Sequence, residues 1–146
     1  MTPDELAQAC AEKMWTDDRA SQQLGMNLDT VTAGAATLSM TVRTDMTNGH
    51  GNAHGGFIFS LADSAFAFAC NSRNQVTVAQ GADIVFIAPA QRGDILVADA
   101  RERASYGRNG IYDVTVRRGD DLIAEFRGRS RQLPGTILKE EEDDGA

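Results

Sequence analysis

The spacing of apolar residues changes along the chain, and each spacing predicts a different element. Thr2-Pro3-Asp4-Glu5 has the form of a capping box with proline at the first helical position, and Leu6, Cys10 and Met14 then recur every fourth residue. This predicts an amphipathic helix of about three turns. Asp17 or Asp18 is placed to cap a shorter second helix, and Gly25 to end it. From Met26 the pattern alternates: Leu38, Met40 and Val42 share one face, Thr37, Ser39, Thr41 and Arg43 the other, with Ala33-Gly34 as the turn of a hairpin. Strand patterns return over residues 76–88, 95–105, 111–118 and 122–132. Their separators are short and rich in turn residues, which implies antiparallel neighbours.

Between the hairpin and the later strands lies a run, residues 55–70, dominated by Ala, Leu and Phe and free of proline. Apolar residues point in nearly every direction around it, so a helix here is buried almost all round and the strands must wrap it. The order helix, two strands, buried helix, four strands predicts an α+β domain with a curved antiparallel sheet around a long central helix.

At 146 residues the chain fits one domain, expected over residues 1–138. The net charge of −7 misleads as an average, because Glu140 to Asp144 crowd the C-terminal end. Residues 139–146 are expected to form an acidic, disordered tail. Residues 101–131 carry an excess of arginine, which permits a local anion site. A nucleic-acid binder would be basic overall or carry a basic, aromatic-rich motif, and this chain does neither. Cys10 and Cys70 sit in apolar surroundings and are expected as buried free thiols. No basic segment followed by an apolar run opens the chain, and no stretch approaches a membrane span, so a cytoplasmic location is expected.

Asp63 lies halfway along the apolar helix, and a carboxylate there needs a reason. One reading is structural: Ser60 or Ser64 hydrogen-bonds it, or an interface tolerates it. The other is catalytic, since a useful general base or nucleophile must be partly desolvated. Just upstream, Asn48-Gly49-His50-Gly51-Asn52-Ala53-His54-Gly55-Gly56 holds four glycines and two histidines. The first turn of the helix that follows offers unpaired N–H groups, suited to a carbonyl oxygen or oxyanion. The loop lacks the Gly-Lys-Ser/Thr of a phosphate loop, the Rossmann spacing and a Gly-x-Ser-x-Gly elbow. His50 and His54 have no third ligand at a metal-binding spacing, so no metal is expected. His54 reads as a hydrogen-bonder that shapes the loop.

The run from Asn48-Gly49-His50 to His54-Gly55-Gly56, with Ser60-Leu61-Ala62-Asp63 and Ala69-Cys70-Asn71-Ser72, resembles the motif of hot-dog-fold thioesterases, most of all those of bacterial phenylacetate catabolism. The resemblance continues through Phe86-x-x-Pro89, Gly107-Arg108, Gly110-x-Tyr112-Asp113, Phe126-Arg127-Gly128 and Gly135-Thr136-Ile137, nearly the whole chain. It implies a hot-dog fold and hydrolysis of an acyl-CoA thioester, with phenylacetyl-CoA or ring-hydroxylated forms as substrate and no cofactor beyond the CoA of the substrate. It also implies that Asp63 acts on the thioester, that Gly55 N–H polarises its carbonyl, and that Asn48 lies beside the site. His54, Gly56 and Phe57 are expected near substrate. Relatives often have a hydroxyl residue where this chain has Ala79 and Gln80; Thr77 or Gln80 is the candidate replacement. Phe57, Phe59 and Phe66 are read either as walls of an aryl pocket or as plain core, and Arg108 is the first choice for the CoA phosphates.

Two rival functions remain: a general or aliphatic acyl-CoA thioesterase, and a non-catalytic acyl-CoA-binding module on the same fold. Gly55 and Asp63 are eight residues apart, about 12 Å along one helix axis. An oxyanion donor and an attacking group must each come within about 3 Å of one carbonyl. The spacing therefore predicts a homodimer with shared sites, which the resemblance extends to a dimer-of-dimers tetramer.

Overall fold

The computed structural model describes residues 1–139, so all of the acidic tail but Lys139 lies outside the described residues. Thr2 Oγ1 accepts from Glu5 N–H at 3.1 Å and Thr2 N–H donates to Glu5 Oε1 at 3.1 Å, closing the expected capping box on α1, Pro3–Asp17. Asp18 accepts from Ser21 N–H at 3.0 Å and caps α2, Arg19–Gln23. The hairpin follows as β1, Asn27–Thr32, and β2, Ala35–Thr41. A single 3-10 turn, Thr44–Met46, precedes the glycine-rich loop and α3, Gly55–Cys70. The remaining strands are β3 (Thr77–Phe86), β4 (Ile95–Tyr106), β5 (Asn109–Arg118) and β6 (Asp121–Gln132).

The six strands form one antiparallel sheet in the order β1-β2-β4-β5-β6-β3. Register aligns small residues beneath the helix: Ala36 faces Ala100, Leu38 faces Ala98, and Tyr112 faces Gly128. A Cβ at Gly128 would stand 2.8 Å from the Phe66 ring, so only glycine lets β6 pass that close to α3. Leu61, Ala62, Ala65, Phe66, Phe68 and Ala69 of α3 are buried against the inner strand faces. Each large side chain so buried contributes about 2–3 kcal/mol. The helix is thus held as a rigid rod, and the positions of Gly55 and Asp63 on it are fixed. No described helix is long and apolar enough to cross a membrane.

One edge of the sheet is left open. Strand β3 pairs only with β6, and Val78, Val85, Phe86 and the adjacent Ile87 are all exposed along or just past it.

Candidate active site

The loop before α3 is organised by a single side chain. Asn48 Oδ1 accepts from His50 N–H at 2.9 Å and from Asn52 N–H at 3.2 Å. With its oxygen fixed by two backbone donors, the Asn48 amide nitrogen is left without an acceptor among the described residues, and Asn48 lines the cleft described below. Ala53 N–H donates to Ala90 O and His54 N–H to Met46 O, each at 2.7 Å, which fastens the loop to its surroundings.

His54 is the N-cap of α3. Its Nδ1 accepts from Gly56 N–H at 3.0 Å, and its carbonyl accepts from Phe57 N–H at 3.0 Å. The tautomer follows, with the ring proton on Nε2. These bonds consume the neighbouring donors and leave Gly55 N–H with no acceptor among the described residues. That free N–H stands at the positive end of the α3 dipole. It opens onto a cleft of about 450 Å³ whose lining includes Asn48, Asn52, Gly55, Ile58, Phe86 and Pro89.

Asp63 does not line that cleft. The serines that could have satisfied it are engaged elsewhere: Ser60 Oγ donates to Gly56 O at 2.8 Å, and Ser64 Oγ lies 2.8 Å from Ser21 Oγ. The alternative structural reading, in which Ser60 or Ser64 hydrogen-bonds Asp63, is therefore not met. Burial raises the Asp63 carboxyl above the ordinary carboxylate value, and no opposing cation or hydrogen bond lowers it. Asp63 shares a face of α3 with Gly56, Ser60 and Ala67, none of them fully buried. Two helix turns on, burial pushes the Cys70 thiol up to about 12, with a smaller contribution from the Asp63 charge. Both Cys10 and Cys70 are free and buried.

The other expected residues are dispersed. Phe57 is partly buried, edge-on to His54 at 6.2 Å between ring centroids. Phe66 is 1% exposed and belongs to the core, and the partly buried Phe59 packs against it on Phe126 at 5.3 Å. Gln80 donates to Asn109 Oδ1 at 2.8 Å and to Ser130 O at 3.2 Å, and Thr77 Oγ1 donates to Gln75 O. Arg108 lines a hollow with Gln75, Gln132, Leu133 and Pro134. Gln80 and Arg108 thus lie by the end of the sheet where β3 begins, whereas Gly55 lies where β3 ends, beside Phe86. Much of the arginine excess is neutralised in pairs, including Arg127–Asp113, Arg129–Asp83 and Arg118–Asp94. Arg108 takes part in no salt bridge among the described residues. Phe86, quoted from the sequence only within the Phe86-x-x-Pro89 motif, and Ile87 line the cleft although sequence reasoning assigned neither to the site.

Residues 50–125, covering much of the loop, all of α3 and the strands into β6, match the family model described as the thioesterase superfamily. The chain belongs to the thioesterase superfamily. This thioesterase is 40% identical over 131 residues to the acyl-coenzyme A thioesterase PaaI of Escherichia coli (strain K12), covering 89% of this chain and 94% of that protein. The solved structure of E. coli PaaI, from the phenylacetic acid degradation operon, matches it with a TM-score of 0.91 at 38% identity, over 92% of this chain and 99% of that one. A mutant of the phenylacetic acid degradation protein PaaI from Thermus thermophilus matches with a TM-score of 0.77 at 35% identity, over 80% and 100% of the two chains. The fold is the hot-dog fold expected, and the protein is an enzyme of the acyl-CoA thioesterase kind.

Proposed function

We propose that this thioesterase hydrolyses phenylacetyl-CoA or its ring-hydroxylated derivatives to the free acid and CoA, at sites shared between two subunits. One observation carries the reading: Gly55 N–H and the Asp63 carboxylate are both left without partners among the described residues, yet they stand about 12 Å apart on one helix. The acyl group is supported by the relatives, two of which are described as proteins of phenylacetic acid degradation.

Gly55 N–H and the helix dipole hold the thioester oxygen and stabilise the negative charge that develops on it. Asp63 of the second subunit then acts in one of two ways. As a base it takes a proton from water while the water oxygen bonds to the carbonyl carbon. As a nucleophile it bonds to that carbon itself, giving an anhydride that water later cleaves. In either case the C–S bond breaks, the electron pair leaves on the CoA sulfur, and the resulting thiolate is protonated. A thiolate is a good enough leaving group to need no acid. The reaction uses only groups of the chain and water, without metal or cofactor.

The open β3 edge supports the dimer, because an exposed apolar edge strand is a template for pairing with a second copy. Antiparallel pairing of two β3 strands about a two-fold axis would extend the sheet and lay the two α3 helices side by side. The face of Gly56, Ser60, Asp63 and Ala67 is small enough for a second helix to approach closely. The same two-fold brings the β3 start of one subunit to the β3 end of the other. The partner's Gln80 and Arg108 would then approach the Gly55 cleft, where Arg108 meets a CoA phosphate and Gln80 orients water. The full assembly proposed is two such dimers in a tetramer. A CoA-ester substrate and two reduced thiols favour the cytoplasm.

The test is release of free thiol from phenylacetyl-CoA, hydroxyphenylacetyl-CoA and straight-chain acyl-CoA esters. The proposal expects the aryl esters to have the highest kcat/KM. Equal turnover of all would make the enzyme a general thioesterase, and binding without turnover would make it a binding module.

A further inference from the structure

Phe86 stands against the free backbone amide of Gly55. A Cβ built on Gly55 would lie 2.9 Å from Phe86 Cζ and 3.3 Å from each Cε, so the ring meets Gly55 with its para end. The ring is not a core residue: it is 50% exposed, whereas Phe66, Phe68 and Phe126 are at most 2% exposed. It closes the last residue of β3, and the chain beyond it is pinned, since Ile87 N–H and Ala88 N–H both donate to Ile123 O, at 2.8 and 3.2 Å. Phe86, Ile87, Ile58 and Pro89 are the large apolar residues of the cleft lining, which also includes the polar Asn48 and Asn52.

Phe86 ends the β3 edge and also lines the cleft, so its exposed ring is within reach of a ligand held at Gly55. A carbonyl whose oxygen accepts from Gly55 N–H has its two substituents projecting from that point, and the Phe86 ring end beside Gly55, with the other apolar lining residues, suits the acyl substituent better than the polar pantetheine. We infer that Phe86 selects the acyl group, offering its ring to an aromatic or other bulky apolar acyl chain attached to the carbonyl held at Gly55. The inference rests on the functional reading above, in which Gly55 N–H is the oxyanion donor. Aromatic rings contact one another best offset or edge to face, so a flat aryl acyl group gains more from Phe86 than a two-carbon acyl group that does not reach it.

The experiment compares wild type with Phe86→Ala and Phe86→Leu on phenylacetyl-CoA and acetyl-CoA, with sedimentation to follow the assembly. The ratio of kcat/KM for phenylacetyl-CoA over acetyl-CoA should fall at least tenfold in Phe86→Ala and less in Phe86→Leu, with the assembly unchanged. A ratio within twofold of wild type overturns the inference, and so does an equal loss on both esters accompanied by dissociation. Wild-type enzyme that releases no thiol from any CoA ester would instead overturn the functional reading on which the inference stands.

Discussion

The hydroxyls of Ser21 and Ser64 lie 2.8 Å apart, and Ser21 passes its own proton to Asp18 at 2.7 Å. Ser64 is therefore the donor in the pair, and the chain Ser64 to Ser21 to Asp18 ties α2 to α3 immediately beside Asp63. It does so without touching the Asp63 carboxylate. Ser64→Ala should cost about 1 kcal/mol of stability, the usual loss for one buried hydrogen bond, with kcat changed by less than about threefold. Denaturation and steady-state kinetics check both halves; a hundredfold loss of kcat would show that Ser64 serves the chemistry.

Asp63→Asn should lower kcat by at least about a hundredfold while the enzyme still binds its ester. The same substitution should stabilise the fold at neutral pH. Burial raises the Asp63 carboxyl, so the folded state holds its proton more tightly than the unfolded state. The resulting stability is full below the unfolded pKa and is lost as pH rises through the folded pKa. With the charge gone, Asp63→Asn should melt higher than wild type at pH 7, and the gap should close in acid. In wild type, kcat/KM should fall as pH drops, with a midpoint above the ordinary carboxylate value of about 4.

The central helix and the carboxylate on it were legible in the sequence, because residues apolar in every direction leave one lone acid conspicuous. The strand set was legible too, since alternation and turn residues are local signals. Phe86 was not. It lies in a strand pattern like its neighbours, and a bulge between Ala79 and Gly81 interrupts the register of β3 with β6, so simple alternation does not reveal which side chains face α3. The arginines were misleading for a similar reason: Arg127 and Asp113 meet only because β5 and β6 set them opposite each other. The uncommitted Gly55 amide depends on His54 taking Gly56, which no spacing encodes.

Gly55→Ala keeps the N–H but adds a Cβ that must displace the half-exposed Phe86 ring. It should reduce kcat/KM for aryl esters about tenfold or more while sparing small acyl esters. A crystal structure showing Phe86 unmoved, or an equal loss on every ester, would contradict this.

Cys70, pushed up to about 12, and buried Cys10 should both resist thiol reagents in the native enzyme. Disulfide reagents should report no free thiol at pH 8 until denaturant is added, and two per chain afterwards. Rapid native labelling would contradict this account of the helix end.

The shared site is tested most directly by mixing two inactive variants, Asp63→Asn and Gly55→Pro. Proline removes the Gly55 donor at the first position of α3, where its backbone geometry fits because His54 before it is already extended at φ −62, ψ 132, while its Cβ displaces the half-exposed Phe86 ring as alanine's does. In a mixed dimer one site carries both defects and the other carries neither. Subunits that exchange, as read by tags of different mass, should therefore regain thioesterase activity up to one intact site per mixed dimer. If both parents are folded, exchange is demonstrated and no activity returns, each subunit does not complete its neighbour's site and the account fails.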